Sequence, residues 1–273
     1  MIIDHRQDFQ ALSAGAGKVV YVQPKDCVNP SSLPAAIDRK EGDLTLANIT
    51  EKAIQFLSTR NETGFFLMVE GGVIDWLCHA NDGAAAFREV VDFSETIQVA
   101  LDFYKAHPNE TLIIVTADHE TGGLSLGNGP YELNLKLLAN QKSSIIGLTQ
   151  KLKQLKKSKG KNLTYPDLQE LFKQECGFGA TVMLSPAEEQ LLESECMKII
   201  RSDRNQLVRN ALVDPLAVLA VKILNRKAMI QWASGGHSAG AVPVYAIGVG
   251  AEKFSGISDN TEIIGIIEEV MGN

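Results

Sequence analysis

Residues 65–79, FFLMVEGGVIDWLCH, limit the possible folds more than any other stretch of this chain. The run Phe65-Phe66-Leu67-Met68-Val69 is continuously apolar, which predicts a strand buried on both faces, as in a parallel sheet. It stops at Glu70 and two glycines, and charge enters at Glu70, Asp75 and His79. Ligands of open α/β sheets sit outside the carboxyl ends of the strands, so chemistry is expected here. Asp75 and His79 are four residues apart and share one face of a helical turn. A carboxylate and an imidazole on one face can reach a single small cation. Glu70, at the strand end, suits a second, harder cation that takes oxygen ligands. Taken alone, the stretch also fits a polar helix start with Glu70 as a hydrogen-bonded turn residue.

The flanking chain supports an α/β reading. Residues 18–22, KVVYV, predict a short strand, and Pro24, Pro30 and Pro34 mark an irregular connection. Leu46, Ile49, Ala53, Phe56 and Leu57 recur at helical spacing. After His79, Asn81 or Asp82 can cap a long helix. Its expected apolar stripe is Phe87, Val90, Val91, Ile97, Leu101 and Tyr104, and Pro108 closes it. A second buried strand, TLIIVTA at 111–117, runs into Asp118-His119-Glu120-Thr121-Gly122-Gly123. Strand, long helix and strand in this order predict a βαβ unit with parallel strands. Glu70, Asp75, His79, Asp118 and His119 would then crowd one rim.

Residues 1–127 read as the N-terminal part of an α/β core and 128–227 as a mostly helical insertion. Residues 228–273 supply strands and a helix that complete the core. The insertion carries a capping box at Ser185–Glu188 with proline at the first helical position. Asp214-Pro215 starts another helix. Residues 229–232 and 243–250 read as strands flanking SGGHSAG, and Asp259 as the cap of a final helix.

The net charge of −7 argues against nucleic-acid binding, which needs a basic surface. The lysine-rich run at 151–162 reads as a solvated helix end. No apolar run approaches the roughly 20 residues of a membrane span, and MIIDHRQDFQ lacks the apolar stretch of an export signal. Cys27, Cys78, Cys176 and Cys196 are scattered with no C-x-x-C pair, so a cysteine zinc site is not expected. The cysteines leave the redox compartment open, and Cys78 reads as a packing residue.

Three of the five histidines, His79, His119 and His237, lie in glycine-rich turns beside apolar runs. His5 and His107 read as surface residues. Asp75, His79 and His237 form a nitrogen and oxygen donor set of the kind that holds catalytic zinc with one position open. Asp118 and His119 would supply a second site, and Glu70 a third that holds magnesium. Two cations about 3.5–4 Å apart can clamp the attacking and leaving oxygens of a phosphoryl displacement.

The segments FFLMVEGGVIDWLCHANDG, TLIIVTADHETGG and GGHSAGAVPVYAIGVGA closely resemble the alkaline phosphatase family, and the resemblance runs from LPAAIDRKEGDLTL at residue 33 to the C-terminus. It implies a three-layer α/β/α sandwich with a mostly parallel central sheet, truncated at the N-terminal side. By resemblance Glu70 matches the magnesium ligand. Asp75, His79 and His237 match the first zinc, and Asp118 and His119 match the second. Trp76 lies at a variable position near the phosphate pocket. The implied activity is hydrolysis of phosphate monoesters through a covalent phosphoserine and two zinc ions, and the implied location is periplasmic or exported.

The chain contains no Asp-Ser-Ala segment, where the family carries its nucleophile, and Ser13 and Ser238 do not sit in such a turn. The expectation is therefore a C-terminal part that keeps most metal ligands and has no catalytic residue of its own. It would be inactive or nearly so alone, and would form a homodimer or join a missing N-terminal polypeptide. Two alternatives remain. One is a non-catalytic metal-binding fragment. The other is a phosphodiesterase or mutase on the same scaffold. A sulfatase would need C-x-P-x-R, and none of the cysteines lies in one.

Overall fold

The computed structural model describes every residue except 1, 5–8, 10, 14–16, 23–32, 60–62, 128, 130–131, 202–212, 257 and 273. The expectations for His5, Pro24, Cys27 and Pro30 lie outside the described residues. Helix α1 spans Leu46–Ser58, with Thr45 and Asn48 closing its N-terminus in a reciprocal capping box. Residues 65–71 lead into α2, Gly72–His79, and a tight corner leads to α3, Gly83–Ala106. Asp82 caps α3, accepting the Ala85 N–H.

The buried side of α3 differs from its expected apolar stripe. Val90 and Val91 are 50% and 63% exposed, while Glu89, Asp92 and Thr96 are buried. Polar partners explain the rotation. Glu89 accepts the Ala36 N–H at 2.7 Å, and Arg39 donates both guanidinium arms to Asp92 at 2.5 and 2.8 Å. The bidentate geometry fixes register as well as adding energy.

The sheet also departs from expectation. The described residues form four two-stranded ladders. Strands β1, Ile2–Ile3, and β2, Val20–Tyr21, pair in parallel. Strand β3, Leu112–Val115, pairs antiparallel with β8, Tyr245–Gly248. Strands β4, Glu120–Thr121, and β7, His237–Ser238, pair antiparallel, as do β5, Leu124–Leu126, and β6, Ile230–Trp232. The parallel pairing expected between 65–69 and 111–117 is absent. Residues 65–69 join no ladder; Phe66 and Met68 are 56% and 76% exposed, Leu67 and Val69 are half-buried, and Phe65 packs a ring edge on Phe103. The hydrogen bonds of β3 go to β8 instead, so an antiparallel pair takes the place expected for a mostly parallel sheet.

Helices α4, Ile145–Lys159, α5, Tyr165–Cys176, α6, Pro186–Arg201, and α7, Pro215–Lys227, carry the main core. Leu148, Leu168, Phe172, Cys196, Ala220 and Leu224 are buried together there, with Ala84 of α3 and Ile230 of β6. Ser185 and Glu188 form the expected capping contacts. The last helix, α8, spans Glu262–Met271, and Asp259 accepts the Thr261 N–H just before it. Ile264 of that helix is exposed.

Asp82 ties the two halves together. Its fully buried carboxylate accepts from Ala85 at the start of α3, from Ile145 N–H at the start of α4, and from Gln141 Nε2. Two helix N-termini favour the anion, but burial dominates and pushes its pKa up to about 6. A carboxyl raised on folding contributes stability that is fully present below the unfolded value of 3.8 and is lost as pH rises through about 6. Relative to Asp82→Asn, the unfolding free energy of the natural chain should fall by about 1–3 kcal/mol between pH 4 and pH 6.5. Urea unfolding at both ends of that window checks this, and a constant difference contradicts it.

Candidate metal centre

Three segments converge on one rim. The first is α2. Its i, i+4 spacing brings Asp75 Oδ2 within 3.4 Å of His79 Nε2, as the sequence pattern predicts. The second is the turn after β3, carrying Asp118 and His119. The third is the loop from Ala233 into β7, carrying His237. The β4–β7 ladder sets Thr121 opposite His237 and Glu120 opposite Ser238. Its register therefore places the second and third segments side by side.

The loop before His237 is held at several points. Ala233 and Ser234 donate backbone N–H groups to the Gly122 carbonyl. Asn81 Nδ2 donates to the Ser234 carbonyl at 3.0 Å, and His79 Nδ1 lies 2.7 Å from the Gly235 carbonyl. The Glu120 carboxylate accepts from the Gly123 N–H and from the Ser238 hydroxyl. The Ser238 bond holds the Glu120 pKa below the usual carboxylate range; burial opposes it, and the Gly123 N–H adds to the lowering.

Asp75, His119 and His237 each offer a donor atom, and these atoms lie within 4.8 Å of one another. His119 and His237 stack with ring centroids 3.6 Å apart, and His79 lies 5.1 Å from His237 by the same measure. Asp118 Oδ2 sits 3.2 Å from His119 Nε2, although its side chain is largely exposed. Of the six expected ligands, three form this tight group. His79 and Asp118 sit beside it, each against a member. Glu70 is exposed and folds back over Gly72, outside the group. Trp76 is half exposed on α2.

The donor chemistry fits a divalent cation. A carbonyl can only accept, so His79 Nδ1 carries the proton that bonds Gly235. That leaves the lone pair of His79 Nε2 facing the Asp75 carboxylate. Metal-binding histidines commonly donate their other ring nitrogen to a carbonyl or carboxylate in this way. Burial, then the nearby Asp75 charge, pushes the Cys78 pKa up to about 11, so in the metal-free chain it is a thiol at neutral pH.

Comparison with known proteins identifies the family. The family model described as alkaline phosphatase matches residues 27–272. The chain belongs to the alkaline phosphatase family. Alkaline phosphatase 4 of Bacillus subtilis is 32% identical over 240 residues, covering 88% of this chain and 46% of that protein. Alkaline phosphatase 3 of the same organism is 34% identical over 232 residues, covering 85% and 45%. The crystal structure of a cold-active alkaline phosphatase from Shewanella superposes with a TM-score of 0.78 at 30% identity, covering 99% of this chain and 59% of that one. The fold is thus alkaline-phosphatase-like, and the family is a metal-dependent one of phosphoric monoester hydrolases. The chain spans about half the length of the curated relatives it matches.

Two supporting residues escaped the sequence reading. Thr121 donates to Asp75 Oδ1 at 2.6 Å, and Gly122 keeps the space that Trp232 fills. No local spacing marks Thr121, because His119 lies in the turn before β4 and Asp75 is 46 residues away. Gly122 has φ +86°, and an added Cβ would lie 2.4 Å from Trp232 Cδ1. Gly122→Ala should destabilise the chain by about 1–3 kcal/mol and raise hydrogen exchange at 233–238. Unchanged thermal unfolding and exchange would contradict this account of the loop.

Proposed function

We propose that this chain provides the metal-holding part of an alkaline phosphatase centre that hydrolyses phosphate monoesters. The observation that carries the reading is the convergence of donor atoms from Asp75, His119 and His237, with Asp75 and His79 already in contact. In this reading Asp75, His79 and His237 hold the first zinc, Asp118 and His119 the second, and Glu70 contributes to magnesium. Zinc bound there would supply Lewis acidity and offset the charge of a phosphoryl group. The chain's own residues hold and orient. Asp75 keeps Oδ2 directed at His79 while Thr121 takes Oδ1. The Gly235 carbonyl fixes the His79 ring. Trp76 lines the approach for the monoester.

The nucleophile is absent from this reading of the chain, because no Asp-Ser-Ala segment occurs in it. The purified chain with zinc and magnesium should therefore bind metal but not turn over p-nitrophenyl phosphate. Site-resolved anomalous scattering should find zinc first among Asp75, His79 and His237. Robust turnover would mean that a group of this chain is the nucleophile. Zinc entering at Asp118 and His119 first would overturn the assignment of ligands.

The three-layer sandwich would be completed by strands from a companion polypeptide or a second copy. Phe66 and Met68 on the unpaired segment before α2, and Tyr245, Ile247 and Val249 on one face of the β8 region, are exposed and apolar. Such edges associate readily. Sizing chromatography of the isolated chain should show dimers or larger species. A monomer that persists at high concentration would contradict this.

A further inference from the structure

Thr121 stands where two carboxylate–imidazole pairs meet. Its hydroxyl lies 2.6 Å from Asp75 Oδ1 and 3.3 Å from His119 Nδ1. A hydroxyl has one hydrogen to give and two lone pairs to accept with. A carboxylate can only accept, and the shorter, charge-assisted contact takes the hydrogen. Thr121 therefore donates to Asp75, and its only remaining role toward His119 is to accept. That requires a proton on His119 Nδ1.

We propose that Thr121 is a positioning residue that sets the His119 tautomer through the directed chain His119 Nδ1–H to Thr121 Oγ1–H to Asp75 Oδ1. The consequence appears at the far side of the ring. With its proton committed at Nδ1, neutral His119 turns the Nε2 lone pair to Asp118 Oδ2, 3.2 Å away. Two lone pairs that face each other at this distance repel unless a cation or a proton lies between them. His79 repeats the arrangement, with Nδ1 committed to Gly235 and Nε2 facing Asp75 Oδ2 at 3.4 Å. The two pairs thus present the same donor geometry, one ordered by a backbone carbonyl and the other by a threonine. Thr121 also joins them, because it fixes Asp75 of one pair and His119 of the other. It lies on β4 opposite His237.

This inference rests on the metal-holding role proposed above, and one set of variants tests it apart from that role. Thr121→Val keeps the shape and removes the hydroxyl, and Thr121→Ser restores it. Long-range proton–nitrogen correlation spectra of the metal-free chain, at a pH where the imidazoles are neutral, should show His119 as the Nδ1–H tautomer. They should show the same form in Thr121→Ser and a mixture or the Nε2–H form in Thr121→Val. Zinc affinity, read by competition with a chromophoric chelator, should fall about 10–100-fold in Thr121→Val and recover in Thr121→Ser. The Nε2–H tautomer in the natural chain overturns the proposal, as does an unchanged affinity in Thr121→Val. If the natural chain binds no zinc, the metal-holding role fails, while the spectra still decide what Thr121 does.

Discussion

The rim of donor groups depends on the corner at Asn81–Gly83. Asn81 adopts a left-handed conformation, φ +53°, which asparagine tolerates better than most residues. Its side chain donates back to the Cys78 carbonyl at the end of α2 and across to Ser234, and its own carbonyl accepts from Asn225 of α7. Asp82 follows, fully buried, and anchors the starts of α3 and α4. Gly83 completes the corner, where an added Cβ would lie 2.5 Å from Ile230 and 2.6 Å from Asn225. Three consecutive residues thus join the helix bearing Asp75 and His79 to the helical core and to the loop before His237.

The functional rim is built from that corner by short polar links rather than by apolar packing. The β4–β7 ladder is only two residues long on each strand, too short to hold its loops alone. Glu120, Thr121, Asn81 and His79 add side-chain bonds across it. Each link also consumes a proton or a lone pair and so determines which atoms remain to meet a ligand. What remains is a set of lone pairs on carboxylates and imidazoles, with the backbone carbonyls already occupied. A phosphate monoester is anionic, and an uncompensated acidic rim would repel it. Cations between rim and substrate would reverse that sign.

Much of this was legible in the sequence because the relevant signals are local. Asp75 and His79 share a helix face by spacing alone. The caps at Asp82 and Ser185 follow from polar residues ahead of helical runs. The clustering of Asp118, His119 and His237 beside apolar runs placed them near a sheet end. The failures came where partners lie far apart in the chain. Residues 65–69 have the composition of a buried strand, yet composition does not name a neighbour, and β3 bonds β8 instead. Val90 and Val91 look like core until Arg39 and Ala36, more than fifty positions away, draw Asp92 and Glu89 inward. Thr121 meets Asp75 across 46 residues, and a lone threonine hydroxyl carries no periodic pattern that could reveal it.

The central claim is that carboxylates and imidazoles from three distant segments meet at one rim to hold divalent cations. X-ray absorption at the zinc edge, on the chain loaded with one equivalent of zinc, tests it most directly. The account predicts a shell of nitrogen and oxygen donors at about 2.0–2.2 Å, with imidazole scattering from two histidines that falls to that of one in His237→Ala. A shell of water oxygens alone, or an imidazole signal that survives that substitution unchanged, would contradict it.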